Sequence, residues 1–320
     1  MSMAVLDRTR THRATATATA AAGRRAAGPG IALAAVATLV WSGSFVAARA
    51  LHDSVPPVQQ AFWRWTVALL VVAPFTARGA WRRRALLRRH LGHCLLAALL
   101  GVTVYNTLVN QAALSTSAGN MGMIMAAAPV LMAALERLGG VRLGARRTTG
   151  MLIACAGVLL LIGTGSGATG FTAGDLWMLA AAASFAAYSA LLRRRPAELA
   201  GPAFLFTTFA LGTAMLLPAC ALSVAVQGTF TPTPATVGPL LYVGVLSSAL
   251  AFLAWNKAVA LVGAARAGAV YHLQPLCVAG LSYVLLGERP SWTQAACAVL
   301  VLGGVVLGTA APGRAGHTGG

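Results

Sequence analysis

Acidic residues are nearly absent from this chain of 320 residues: Asp and Glu together number 6, and charged residues of all kinds reach only 9%. So few charges cannot solvate the surface of a water-soluble protein of this length, which excludes the two soluble domains the length alone would suggest. Lysine occurs once, at Lys257, against an arginine-dominated total of 24 basic residues and a formal net charge of +18. A nucleic-acid reader carries such an excess on a polar domain surface, whereas here 58% of residues are hydrophobic and mean hydropathy is +0.75. Nucleic acid is therefore not expected as a partner. The five cysteines (Cys94, Cys155, Cys220, Cys277 and Cys297) stand apart inside apolar stretches, without CxxC or Cys/His spacing. Neither a disulfide framework nor a metal site is indicated, and no cofactor motif appears.

Long apolar runs are present in quantity. A membrane-spanning helix needs about 20 mostly apolar residues. Runs of that kind lie at 31–50, 58–77, 94–113, 119–138, 148–165, 174–192, 202–226, 237–261, 265–286 and 292–311. Short punctuated connections separate them, such as Asp53-Ser54-Val55-Pro56-Pro57 and Thr231-Pro232-Thr233-Pro234. The pattern predicts an all-α polytopic membrane protein with ten transmembrane helices. Residues 1–28, rich in Ala, Thr and Arg without periodicity, read as a disordered basic tail, and 312–320 as a C-terminal tail. A signal peptide ending near Ala48-Arg49-Ala50 is the competing reading of the first segment.

Cytoplasmic loops retain an excess of Lys and Arg. With the N-terminus inside, the tail, Arg78 to Arg89, Arg137 to Arg147, Arg193 to Arg195, Arg266 and Arg314 all fall on the inner side, and only Arg49 and Arg289 on the outer. This places both termini in the cytoplasm, in a lipid bilayer that attracts the basic face. Arg64 and Lys257, the basic residues that remain, lie within apolar runs. Lys257 reads as reaching back to the cytoplasmic surface, and Arg64, inside Phe62-Trp63-Arg64-Trp65, as an outer-interface anchor or an anion contact.

The two halves repeat. Asn110, Ala112, Ala118 and Pro129 recur as Asn256, Ala258, Ala264 and Pro275, each 146 residues later, and Gly157, Val158 and Leu160 recur as Gly304, Val305 and Leu307. The repeats, 31–165 and 174–311, hold five runs each. Since five is odd, the second copy enters the bilayer from the opposite side, giving two inverted five-helix repeats.

At this point the residues resemble a known family. WSGSFVAAR from Trp41 to Arg49, Pro56-Pro57, Arg64 with Trp65, ALSTSAG from Ala113 to Gly119 and LYVGVLSSALAFLAWNKA from Leu241 to Ala258 carry the likeness. Pro275 and the loop Gly287-Glu288-Arg289-Pro290 complete it. Together they resemble the EamA-type ten-helix transporters of the drug/metabolite transporter superfamily. The first-half counterpart of the last loop reads Gly140-Val141-Arg142-Leu143, with Val141 in place of the acid. The resemblance implies export of small metabolites, amino acids or related compounds or drugs, across the bacterial inner membrane.

Polar residues inside a bilayer are costly, so each is a candidate for the transport path. Asn106 and Asn110 share a face of the third run, and Asn256, preceded by Trp255, stands at the repeat position in the eighth. An interhelical hydrogen bond is the alternative role for such amides. Tyr271-His272-Leu273-Gln274-Pro275 occupies the place of Met125-Ala126-Ala127-Ala128-Pro129, so one half has a polar cluster where the other is apolar. Pro129 and Pro275 each remove a backbone N–H and are expected to kink their helices where gating bends are useful. Trp41 and Ser44 of the first run and Tyr188 of the sixth are placed to close a cavity from two sides. His272, the only histidine within a run, has an intrinsic pKa of roughly 6.5 and is a candidate proton carrier, or else a neutral hydrogen-bonded side chain. Asp7, Asp53, Asp175, Glu198 and Glu288 are expected in tails or loops and Glu136 near the inner end of the fourth run beside Arg137, with none deep.

Secondary transport by alternating access, export in particular, is the function these features predict. No charged pore lining suggests a channel, and no GxxxxGK[ST] a nucleotide-driven pump. An integral-membrane enzyme would need a cluster such as HExxH or paired aspartates, and none is present. A non-transporting membrane partner is the remaining alternative.

Overall fold

A computed structural model describes residues 28–140, 144–164, 172–199 and 201–309, and every regular element among them is helical. Residues 1–27, Val141, and the C-terminal tail lie outside the described residues. Helix α1 is Gly28–Ala50, α2 Pro57–Arg82, α3 Leu91–Ala112, α4 Ala118–Leu138 and α5 Ala145–Thr164. A short helix, Arg84–Arg89, lies between α2 and α3. Then come α6 Ala173–Arg193, α7 Pro202–Gln227, α8 Pro234–Val262, α9 (Ala264–Tyr271 continued by Gln274–Leu286) and α10 Trp292–Thr309. Helices α1, α3, α4, α6, α7, α8 and α9 contain segments long and apolar enough to cross a membrane, and α10 is apolar but shorter.

The sequence sets the helix ends. Proline stands in the first turn of α2, α7 and α8, where its missing N–H has no helical partner to lose. Ser117 caps α4, Thr172 and Asp175 form a capping box on α6, and Ser291 and Gln294 exchange the same two bonds at α10. At the far ends of α8 and α9, Gly263 and Gly287 take φ of 82° and 70°, a left-handed turn that other residues resist. Large apolar side chains such as Leu70, Phe75 and Val284 face outward, the reverse of a water-soluble surface and suited to lipid.

Side-chain contacts define two ends of the bundle. One brings together Arg49, Ala113, Ala118 and Glu288, and is called the Glu288 end. The other joins His90 to Glu198, and Glu136 to Arg147 and Arg193, and is called the arginine end. Helix α5 runs tightly against α10 because glycine lines the seam: a Cβ at Gly304 would fall 2.5 Å from the Ala154 nitrogen and 2.6 Å from the Gly150 carbonyl. Helices α2 and α7 pair through Trp65 on Phe209, with ring centroids 4.5 Å apart. The Gln274–Leu286 part of α9 packs on the Ala118–Ala126 part of α4, where Gly122 makes room for Val278.

Irregularities recur between the halves. A π-helical segment, Leu99–Val104, interrupts α3, and another, Tyr242–Leu250, interrupts α8, and their last residues differ by 146. Helix α4 is broken at Ala127 just before Pro129, and α9 at His272 and Leu273 just before Pro275, with Ala127 and Leu273 again 146 apart.

Two expectations need correction. Helix α3 begins at Leu91, one turn earlier than its apolar run, so His93 lies inside a helix, whereas His272 falls at the break in α9. Asp175 is not in a loop: it sits in the first turn of α6, fully buried. It accepts from Thr116 at 2.6 Å and from both the nitrogen and hydroxyl of Thr172. Asn120 also reaches it and accepts in turn from Gln294 of α10. Satisfying a buried carboxylate this fully removes most of the cost that made a loop position the natural expectation.

Candidate substrate site

Arg64 lies about 10 Å along α2 from its start, at 1.5 Å per residue. Its aromatic neighbours diverge: Trp63 faces outward at 42% exposed, whereas Trp65 is buried against α7. The side chain of Arg64 turns inward to α8, correcting the interface-anchor reading. Its Nε donates to the Ser248 hydroxyl at 2.9 Å and a terminal nitrogen donates to Ser247 at 3.3 Å. The guanidinium carbon stands 5.6 Å from the Trp65 ring centre. Tyr105 of α3 and Tyr242 of α8 are within electrostatic reach.

The π segment of α8 makes this arrangement available. Widening the helix displaces carbonyls from their usual partners, a feature that recurs at functional sites. The Ser248 hydroxyl donates five residues back to the Val243 carbonyl at 2.8 Å, while the Ser247 carbonyl accepts from Trp41 Nε1 of α1 at 3.0 Å. Trp41 is the hub of an aromatic cluster, its ring 5.3 Å from Phe252, 5.4 Å from Trp255 and 5.9 Å from Tyr271. Tyr242 donates to the Val40 carbonyl at 2.7 Å, and Gly43 leaves room for its ring.

A related but different set surrounds the π segment of α3. Ser184 of α6 donates to the Leu100 carbonyl at 2.9 Å, and Asn106 donates to Gly101 and Val102 at 3.2 and 2.9 Å. Tyr188 lies against Gly101, and Phe185 against Tyr105. The Asn106 carbonyl oxygen is buried without a partner. A cavity of about 540 Å³ lies at the arginine end, lined by Leu96 and Leu100 of α3, Glu136 of α4 and Arg193 of α6, and so reaches this second π segment. Another, of about 390 Å³, lies off-centre between α4, α9 and α10.

Of the residues expected at the site, the structure brings Trp41, Trp255 and Tyr271 together, and Gln274 is buried three residues beyond Tyr271. Asn106 and Tyr188 stand at the second π segment. Ser44 bonds its own helix at the Trp41 carbonyl. Asn110 is buried and donates to the Pro57 carbonyl at 3.1 Å, tying α3 to α2. Asn256 is exposed, and His272 is half-buried at the break in α9. Pro129 and Pro275 begin the second parts of their broken helices. Arg64 was expected as either an interface anchor or an anion contact, whereas Ser247, Ser248 and Tyr242 were not among the expected site residues. The one signal available was a cation in an apolar run with a serine pair in another.

Apolar helices enclosing a polar and aromatic centre fit a multi-pass membrane protein, and the similarities to known proteins point to a transporter of small molecules rather than an enzyme. The chain belongs to the EamA-like transporter family, whose model matches it twice, at residues 28–163 and 172–309. It is similar to an uncharacterized transporter of Archaeoglobus fulgidus, 28% identical over 87% of this chain and 96% of that protein. It is also similar to a probable terminal-alkyne amino-acid exporter of Streptantibioticus cattleyicolor, 29% identical over 86% of this chain and 91% of that one. A solved crystal structure shares the fold with a TM-score of 0.58 at 21% identity, over 87% of this chain and 95% of its own.

Proposed function

We propose that the protein is a secondary transporter that exports a small metabolite, an amino acid or related compound, across the bacterial inner membrane by alternating access. In this reading the labelled helices α1 to α10 are ten spans in two inverted repeats, with both termini cytoplasmic and the arginine end facing the cytoplasm. The 146-residue recurrence of π segments and helix breaks, the double family match and the sorting of arginines by side support it. The amino-acid substrate is suggested by the name of the Streptantibioticus relative.

One observation carries the mechanism: the two ends are packed differently. At the Glu288 end α4 lies on α9, Asn110 ties α3 to Pro57, and Glu288 accepts from Arg49 at 3.2 Å, from the Ala118 nitrogen at 3.0 Å and from Ser282. At the arginine end the corresponding parts, Ala128–Leu138 and Ala264–Tyr271, are not packed together in this way among the described residues. In this reading the packing difference corresponds to an inward-facing state, and exchange of the two packings between repeats gives the outward-facing one. The breaks at Ala127 and at His272–Leu273 supply the bends.

A metabolite-wide comparison of efflux from cells with and without the protein tests the proposal. Faster loss of one or a few small metabolites is expected, and identical profiles at confirmed membrane abundance would overturn it.

A further inference from the structure

We propose that Arg64 anchors a carboxylate of the substrate, so that the centre selects small apolar or aromatic monocarboxylates, free amino acids among them. The inference rests on the transporter reading above and adds the chemistry of its ligand.

A cation this deep in a membrane bundle calls for an anion, and among the described residues the guanidinium has none. Each described carboxylate is engaged elsewhere: Asp53 with His52, Glu136 with Arg147 and Arg193, Asp175 with Thr116 and Thr172, Glu198 with His90, and Glu288 with Arg49. The two serines that hold Arg64 are neutral. They orient the guanidinium without cancelling its charge, and Ser248 is itself fixed by the Val243 carbonyl.

Arginine has five N–H donors, and the two serine bonds leave enough for the paired contact a carboxylate makes with a guanidinium edge. Arg64, Tyr105 and Tyr271 each keep part of their surface accessible. Trp41, Trp255 and Tyr271 offer aromatic faces to the rest of the ligand. With no acid in this cage, an ammonium group finds only those faces, which hold cations weakly. A free amine therefore lacks its strongest contact, and a monoanion or zwitterion has one.

Vesicles containing the purified full chain are loaded with the twenty L-amino acids, their amides and their decarboxylated amines, and release is followed by mass spectrometry. Wild type is expected to release at least one acid about 10- to 100-fold faster than its amide and amine, the range for loss of a hydrogen-bonded charge contact. R64Q is expected to collapse that ratio towards one, and R64K to restore part of it. Because the ratio is taken within one preparation, the folded fraction cancels. Release of amides or amines as fast as acids by wild type would overturn the inference while leaving the transporter reading intact. So would an R64Q variant that slows every class equally, which would make Arg64 a strut between α2 and α8. Failure of wild type to release any compound faster than protein-free vesicles would count against both.

Discussion

Replacing Glu288 with alanine should open the end of the bundle that this residue closes. Its carboxylate joins three elements: Arg49 at the end of α1, the first-turn nitrogen of Ala118 on α4, and Ser282 on α9. The Arg49 and Glu288 side chains are 26% and 22% exposed, so screening limits that pair to about 0.5–1 kcal/mol. A carboxylate on the first turn of a helix contributes a further ~1 kcal/mol, and the serine bond about as much. The total of about 2–3 kcal/mol corresponds to a shift of roughly 30- to 150-fold in the equilibrium between closed and open forms. Spin labels at Asp53 and Trp292, both exposed positions at this end, report it through their pulsed-resonance distance distribution. In E288A a longer-distance population should grow severalfold, and E288Q, which keeps the acceptor but loses the charge, should fall between. A distribution identical to wild type in both variants would refute the assignment of Glu288 as a closing contact.

Other outcomes follow from the same geometry. Asn110→Ala should lower thermal stability in detergent by loss of a bond worth about 1 kcal/mol, whereas Asn256→Ala should leave it unchanged. In the inverted-repeat reading Pro202 corresponds to Pro57, so Asn256→Ala should instead destabilise the outward-facing state, seen as a larger inward-facing fraction in spin-label distances at the arginine end. Gly304→Leu should reduce folded protein in the membrane, since its side chain meets Ala154 and Gly150 backbone and the α5–α10 seam must part, a strain of about 1–3 kcal/mol or more; size-exclusion recovery measures this. Trp41→Phe should keep ring stacking but lose the bond to Ser247, raising the apparent KM less than Trp41→Ala does in a vesicle release assay.

Much of the fold was legible because the bilayer imposes one rule, a run of about 20 apolar residues per crossing, and each apolar run lies largely within one of the labelled helices. Proline and glycine punctuation marked the ends and the breaks at Ala127 and Leu273. The site was legible only in part. Trp41, Trp255 and Tyr271 stood out as aromatics in apolar runs, but π segments leave no periodic signature, so the bond from Trp41 to the Ser247 carbonyl and the pairing of Ser247 and Ser248 with Arg64 were hidden. The run Phe62-Trp63-Arg64-Trp65 resembles an interfacial belt in one dimension, and only the rotation of α2 shows Trp63 and Arg64 on different sides. Asn110 and Asn256 match in sequence yet differ in burial, which follows if one end of an inverted pair is closed and the other open.

Alternating access is tested most directly by locking the Glu288 end. In a background with the five native cysteines replaced, Arg49→Cys and Glu288→Cys are joined by a cleavable thiol cross-linker, and efflux of a mixed amino-acid pool from vesicles is measured before and after cleavage. The account predicts that cross-linked protein releases the pool no faster than protein-free vesicles and that cleavage restores release. Undiminished efflux through fully cross-linked protein would contradict it.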